Sequence, residues 1–175
     1  MNVIPLLADN YKISNEGKTI EIKLRDSGKW HDQRGLTSYD VAFTLDTIKA
    51  SNKEGIYGQI FETAFGAFHP YNIHNVIRVN IIDELNFEII FDRSYSSNLE
   101  SLTLPIIPKH IFEEEGIRGA LELEKYNPIG TGPYKFEDYS DLTNVNLVKN
   151  EECWKGTLYI NQIRGRVFRD EETIL

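Results

Sequence analysis

The sequence has little cysteine and no long hydrophobic run. Cys153 is the one cysteine among 175 residues, so the chain cannot form an internal disulfide, and such a thiol is expected to be a small buried apolar group. No apolar run approaches the roughly 18–20 residues of a membrane-spanning helix. The segment Met1–Ile13 lacks a basic start and a long apolar core, so we do not expect it to be a signal peptide.

Positive charge is also scarce. The chain has 19 Lys and Arg residues against 27 Asp and Glu residues, a formal net charge of -8. Such a surface repels phosphate backbones, which argues against nucleic-acid binding. The hydrophobic share of 41% and the charged share of 26% are typical of a folded globular protein. The length suits one domain, or one domain and part of another.

Recognisable catalytic and metal-binding motifs are missing as well. The four histidines, His31, His69, His74 and His110, lack the spacing of a metal-ligand motif, and no serine lies in a nucleophile elbow. The loop Gly130-Thr131-Gly132 lacks the lysine of a phosphate-binding loop and precedes a strand, so we interpret it as a tight turn that needs positive φ. We therefore expect no catalytic residue, no metal site and no cofactor.

The most informative stretch is Leu24–Ile48. It begins at the end of the alternating segment Lys18–Arg25, which predicts a half-buried antiparallel strand. Thr37 can cap a helix, with Asp40 at the third helical position as its partner in a capping-box-like pair. The predicted helix places three apolar residues at helical spacing: Val41, Leu45 and Ile48.

Other elements follow from similar patterns. The segment Asp9–Asn15 is polar and turn-like, and Asn15–Gly17 is predicted to be a hairpin tip. Residues 56–68 could form a short helix, and Pro108 suits the start of a helix that runs to about Glu115. Alternation predicts five further strands, with Ile77, Val79 and Ile81 on one face of the first: 76–82, 87–91, 134–139, 145–149 and 160–168.

Seven segments match, in order, motifs that occur together in one family: residues 6–14, 19–25, 29–45, 104–111, 130–136, 150–156 and 168–173. The clearest is Lys29-Trp30-His31-Asp32 followed by Leu36-Thr37-Ser38-Tyr39-Asp40-Val41. In this order they resemble the bacterial extracellular solute-binding proteins of family 5, the oligopeptide, dipeptide and nickel receptors of ABC importers. Gln33-Arg34-Gly35 departs from the usual Gly-x-Pro, and Cys153 stands where an aromatic residue is common.

The resemblance implies an α/β fold (mixed α+β) of the periplasmic-binding-protein-like class II. The chain would be a fragment of the N-terminal lobe, with mixed sheets and flanking helices. Residues 1–126 would form the accessory subdomain and residues 127–175 part of the hinge-side sheet subdomain, with the C-terminal lobe absent. Sheet edges that pair with the absent segments would then be exposed.

The resemblance also implies a function. The full-length protein would be a solute-binding component that binds peptides outside the cytoplasmic membrane, periplasmic or lipid-anchored at the cell surface, and delivers them to ABC permease subunits. Tyr57 stands at about the place of a ligand-contacting tyrosine in peptide-binding members. Trp30 and the Thr37–Asp40 pair match positions whose role looks structural.

Other functions remain open at this point. The same fold could be the ligand-sensing domain of a cytoplasmic transcriptional regulator, or a receptor for nickel, haem or oligosaccharide. A hydrolase would need a nucleophile–base pair, which the sequence does not display.

Overall fold

Strands and helices are mixed along the chain. The computed structural model describes residues 3–51, 75–114, 116, 119, 127–140, 143–156 and 158–166. The chain forms two units. Unit 1 consists of Met1–Asp26 and Thr37–Lys109, and unit 2 of Ser27–Leu36 and His110–Leu175. The predicted helix at 56–68 lies outside the described residues, and the predicted division into subdomains at residue 126 stays a prediction.

Unit 1 contains a four-stranded antiparallel sheet with the strand order β1-β2-β4-β3. Its strands are β1 Ala8–Ser14, β2 Thr19–Leu24, β3 Val76–Ile81 and β4 Asn86–Phe91. β4 alternates strictly, so that Phe87, Ile89 and Phe91 are buried and the residues between them are partly exposed. The predicted alternation of β2 is confirmed, because Ile20 and Leu24 are buried while Lys23 is exposed.

β1 corrects one prediction. The segment Asp9–Asn15 is polar, and polarity pointed to a turn, yet residues 8–14 form an edge strand paired with β2. An edge strand that is mostly exposed has few positions at which an apolar side chain is required, so its pattern does not alternate. The predicted tip at Asn15–Gly17 is confirmed as a 3-10 turn in which all three residues have positive φ.

β3 contains an irregularity that the alternation did not reveal. The register with β4 shifts between Val76 and Arg78, because β3 has one extra residue here, a β-bulge. Val76 is therefore buried, while Ile77 is 57% exposed. The prediction that Ile77 shares a face with Val79 and Ile81 is wrong for this reason.

The turn between β3 and β4 is closed by Asp83. Its Oδ1 accepts from the backbone N–H groups of Leu85 and Asn86, and these donors lower the pKa of the carboxyl because they favour its charged form. The same turn supports the start of the helix Ser38–Ser51. Ser38 donates from its hydroxyl to the Asp83 carbonyl and from its N–H to the Glu84 carbonyl.

Helix α1, Ser38–Ser51, begins where the sequence predicted. The Asp40 carboxylate reaches back to the Thr37 N–H at 2.8 Å and accepts from the Thr37 hydroxyl at 3.0 Å, which confirms the capping-box-like pair. The three residues of the predicted apolar stripe are all buried: Val41, Leu45 and Ile48.

α1 also holds the segment that precedes the helical residues 109–114. Asp40 Oδ1 accepts from the backbone N–H of Lys109 at 2.9 Å, and Thr44 Oγ1 accepts from the N–H of Ile107 at 3.0 Å. Asp40 is only 4% exposed. Away from water, its carboxylate therefore accepts hydrogen bonds both from the start of its own helix and from a distant backbone N–H group.

Unit 2 contains a three-stranded antiparallel sheet with the order β5-β6-β7. Its strands are β5 Tyr134–Ser140, β6 Asn144–Lys149 and β7 Gln162–Arg166. All three agree in place with the predicted strands. Every residue of β7 is exposed, as its position at the sheet edge allows. Among the described residues no helix has the length and apolarity needed to cross a membrane.

We expect Asp40→Asn to destabilise the protein by about 2 kcal/mol, because the amide NH2 replaces one of the two carboxylate oxygens and leaves either the Thr37 or the Lys109 backbone N–H without its acceptor in a buried site. Urea denaturation followed by circular dichroism measures the change in the free energy of unfolding. Asp46→Asn, on the exposed face of the same helix, is the matched control and should stay within about 0.5 kcal/mol of the parent. Equal loss in both variants would contradict the role of Asp40.

Candidate functional site

Tyr57, the predicted ligand contact, lies outside the described residues, as do His69 and His74. Trp30, His31, Asp32, His110 and the Gly130–Gly132 loop, which the sequence also singled out, lie in unit 2. There the corner segment, Ser27–Leu36, meets the 130–133 loop, Gly130–Pro133. This arrangement joins two motifs that are about a hundred residues apart in the chain.

The corner segment is closed by backbone hydrogen bonds. The N–H of Trp30 donates to the carbonyl of Arg34 at 2.8 Å, and the N–H of Leu36 donates to the carbonyl of Gly28 at 2.9 Å. Trp30 is 2% exposed, and its ring lies edge-on to His110 with 6.3 Å between the ring centroids. This packing is consistent with the structural role that the resemblance implied for Trp30.

His31 holds the 130–133 loop through both nitrogens of its ring. Nδ1 accepts from the backbone N–H of Gly130 at 3.2 Å, and Nε2 lies 3.1 Å from the carbonyl oxygen of Gly132. The backbone N–H of His31 also donates to the carbonyl of Gly130 at 2.9 Å. Burial is the largest influence on the ring and lowers the pKa of His31, because it disfavours the charged form.

Two residues after β6 hold the same loop. Asn150 donates from Nδ2 to the Gly132 carbonyl at 3.1 Å, and Trp154 donates from Nε1 to the Thr131 carbonyl at 3.2 Å. Neither Gly130 nor Gly132 has positive φ, so the prediction of a turn that needs positive φ is wrong. Side-chain donors and acceptors set the path of this loop, and no left-handed residue is required.

Gln33 begins the Gln33-Arg34-Gly35 stretch and has an unusual backbone conformation. Its φ is +77°, the left-handed region that favours glycine. With the Gln33 amide turned so that each end faces a partner, its nitrogen donates to the Glu152 carboxylate and its oxygen accepts from Lys135 Nζ at 3.0 Å. Lys29 Nζ also contacts Glu152 at 2.9 Å, and this hydrogen bond and charge lower the pKa of the Glu152 carboxyl.

His110 and Asp32 form the one pair here that resembles catalytic machinery. His110 Nε2 lies 2.8 Å from Asp32 Oδ2, which is how a carboxylate orients an imidazole in a hydrolase. Within the described residues, however, His110 makes no hydrogen bond to a hydroxyl or thiol. The same part of the chain contains no group of three His, Cys, Asp or Glu residues that could hold a metal ion. Cys153 is buried, as predicted.

Unit 1 contains a separate apolar cavity of about 340 Å³. Its walls include Leu24 of β2, Val41 of α1 and Phe87 of β4, together with Leu99 and Leu104. The volume is within the range of small-molecule sites, but the walls are almost wholly aliphatic and aromatic. A peptide backbone needs hydrogen-bonding partners that such walls do not supply.

Comparison with known sequences finds one family across nearly the whole chain. The model of the bacterial extracellular solute-binding proteins, family 5 (Middle), matches residues 2–175. An oligopeptide-binding protein of Bacillus subtilis, AppA, is 27% identical over 97% of this chain and 30% of its own length. A dipeptide-binding protein of Escherichia coli is 27% identical over 87% of this chain and 30% of its length. The chain thus spans about 30% of these relatives.

Solved structures have the same fold. NikZ of Campylobacter jejuni, in complex with Ni(L-His), superposes with a TM-score of 0.76 at 26% identity, over 97% of this chain and 32% of its own. A peptide-binding protein of Clostridium difficile gives 0.76 at 25% identity, over 99% of this chain and 34% of its own. AppA of B. subtilis, in complex with a nonapeptide, gives 0.73 at 23% identity, over 99% of this chain and 33% of its own. The predicted fold class is confirmed.

The left-handed backbone at Gln33 is testable. We expect Gln33→Gly to be more stable than Gln33→Ala by about 1 kcal/mol, because both variants lose the amide contacts and only alanine retains a Cβ at positive φ. Thermal and urea denaturation measure the difference. Asp46→Gly and Asp46→Ala form the control pair, in which the order should reverse because Asp46 is helical. A Gln33→Ala variant as stable as Gln33→Gly would refute the left-handed conformation.

Proposed function

The chain belongs to the bacterial extracellular solute-binding proteins, family 5, and we propose from this membership that it is part of a receptor for peptides. The receptor binds its peptide outside the cytoplasmic membrane and passes it to the permease of an ABC importer. The observation that carries the proposal is the family match over residues 2–175. Curated relatives that bind oligopeptides and dipeptides support peptide as the ligand class.

The proposal assigns this chain a share of a larger binding protein. Because it spans about 30% of its curated relatives, the ligand contacts of the whole receptor would come partly from residues beyond these 175. Receptors of this kind close around a ligand by hinge motion of two lobes. A lipid anchor at the cell surface, or a periplasmic location, belongs to the same proposal.

We propose a binding role without catalysis. The relatives are binding proteins, and the His110–Asp32 pair contacts Trp30 and the corner segment, which is the environment of a structural pair. An extracellular family also supports the importer receptor over the sensor domain of a cytoplasmic regulator.

A nickel chelate is the second candidate ligand. NikZ, solved with Ni(L-His), has a TM-score as high as that of the C. difficile peptide-binding protein and a similar identity. Such a ligand would be a cargo that carries some of its own metal ligands, so it would not require a full set of protein ligands. We rank it below peptide because peptide-binding proteins are the more numerous relatives reported above.

Ligand identity can be tested on protein expressed from its complete gene. Native mass spectrometry after purification without denaturant should show bound peptides, and calorimetry on protein refolded from urea to remove them should show peptide binding. A bound nickel–histidine chelate, or a sugar, in place of peptide would overturn the peptide proposal. A refolded sample that binds neither peptide nor chelate, while it melts cooperatively, would overturn the receptor role for both ligands.

Tyr57 is proposed as a ligand contact on the basis of the family resemblance. We expect Tyr57→Ala to weaken peptide binding about tenfold, equivalent to about 1.4 kcal/mol, through loss of ring contact. Tyr57→Phe separates the ring from the hydroxyl. Tyr159→Ala is the control, because Tyr159 is 96% exposed. Unchanged affinity in Tyr57→Ala, measured by calorimetry, would remove Tyr57 from the site.

A further inference from the structure

We propose that His31 is an acid-sensitive clamp, which holds the 130–133 loop when its imidazole is neutral and releases the backbone N–H of Gly130 when the imidazole is protonated. The inference concerns unit 2 alone and does not depend on which ligand the receptor binds. It follows from which atoms of the loop face each ring nitrogen.

The geometry assigns one tautomer. The backbone N–H of Gly130 can only donate, so Nδ1 of His31 must accept and therefore carries no proton. The Gly132 carbonyl oxygen can only accept, so Nε2 must carry the proton. The neutral Nε2–H form satisfies both contacts. A second proton, on Nδ1, would place two N–H groups against each other and break the bond to Gly130.

The groups around the ring have opposing effects on the pKa of His31. Lys135, on β5, lowers the pKa of His31, whereas Asp32 and the hydrogen bond to Gly132 raise it. Burial is the largest influence and the net shift is downward. The folded state therefore favours the neutral ring, and the resulting stability is complete above the ordinary histidine pKa and is lost as the pH falls through the lowered value.

The release should be local. The Gly132 carbonyl also accepts from Asn150, and the Thr131 carbonyl accepts from Trp154, and neither of these donors titrates. Protonation of His31 thus removes the acceptor of the Gly130 N–H, while the Gly130 carbonyl keeps its bond from the backbone N–H of His31 and the carbonyls of Thr131 and Gly132 keep their other donors. We expect movement at the start of the loop and retention of the β5–β6 pairing that follows.

Nuclear magnetic resonance can test the clamp on protein expressed from its complete gene, labelled with ¹⁵N in glycine and in the histidine ring. At pH 8 the His31 ring should be in the Nε2–H tautomer. As the pH is lowered, the Gly130 amide signal should shift with the same midpoint as the His31 ring, below the ordinary histidine value. Gly130→Ala assigns the signal, since a Cβ there would meet His31 Cε1 at an ordinary 3.5 Å.

His31→Asn should abolish the pH-dependent shift of Gly130, because the asparagine Oδ1 can take the place of Nδ1 as a non-titrating acceptor. His110→Gln is the control and should retain a pH-dependent shift of Gly130, because it removes the other imidazole of unit 2 and leaves the His31 ring between Gly130 and Gly132. An Nδ1–H tautomer at pH 8, or a Gly130 signal that titrates in His31→Asn as in the parent, would overturn the proposal. The tautomer is measured on the parent protein, so the test stands even if His31→Asn does not fold.

Discussion

The buried carboxylate of Asp40 is the constraint on which unit 1 depends most. One oxygen closes the start of α1 through Thr37, and the other accepts from the backbone of Lys109. A buried carboxylate is costly unless its lone pairs are occupied, so the positions of these backbone donors are coupled to one another. Thr44, one turn further along α1, repeats the arrangement with Ile107. Two sequence motifs about seventy residues apart are thereby held together by side chains of a single helix.

Unit 2 uses the same principle with other residue types. Its 130–133 loop receives hydrogen bonds from His31, Asn150 and Trp154, which come from two further motifs. Motifs that look independent in the sequence therefore act on shared backbone groups. The corner Trp30-His31-Asp32 has the composition of an active site, yet the hydrogen bonds of His31 go to backbone groups of the loop.

Much of the fold could be predicted from patterning, because burial imposes a period on each element. The alternation of β2 and β4 and the apolar stripe of α1 were visible for this reason. β1 was missed because an edge strand with little burial has no such period. Ile77 was placed on the wrong face because a bulge changes the register without leaving a mark in the composition. The candidate ligand contact, Tyr57, rests on resemblance alone, since no local pattern identifies it.

The sequence by itself determined the helix cap, most strands and the family, because these depend on local spacing and on the order of short motifs. The tertiary structure decided which motifs share partners. It showed that Asp40 serves Lys109 and that His31 accepts from Gly130. It also showed that Gln33 adopts a left-handed backbone conformation, which glycine tolerates best. Such contacts join residues distant in the chain, and a linear pattern contains no information on the distance or direction between a donor and its acceptor.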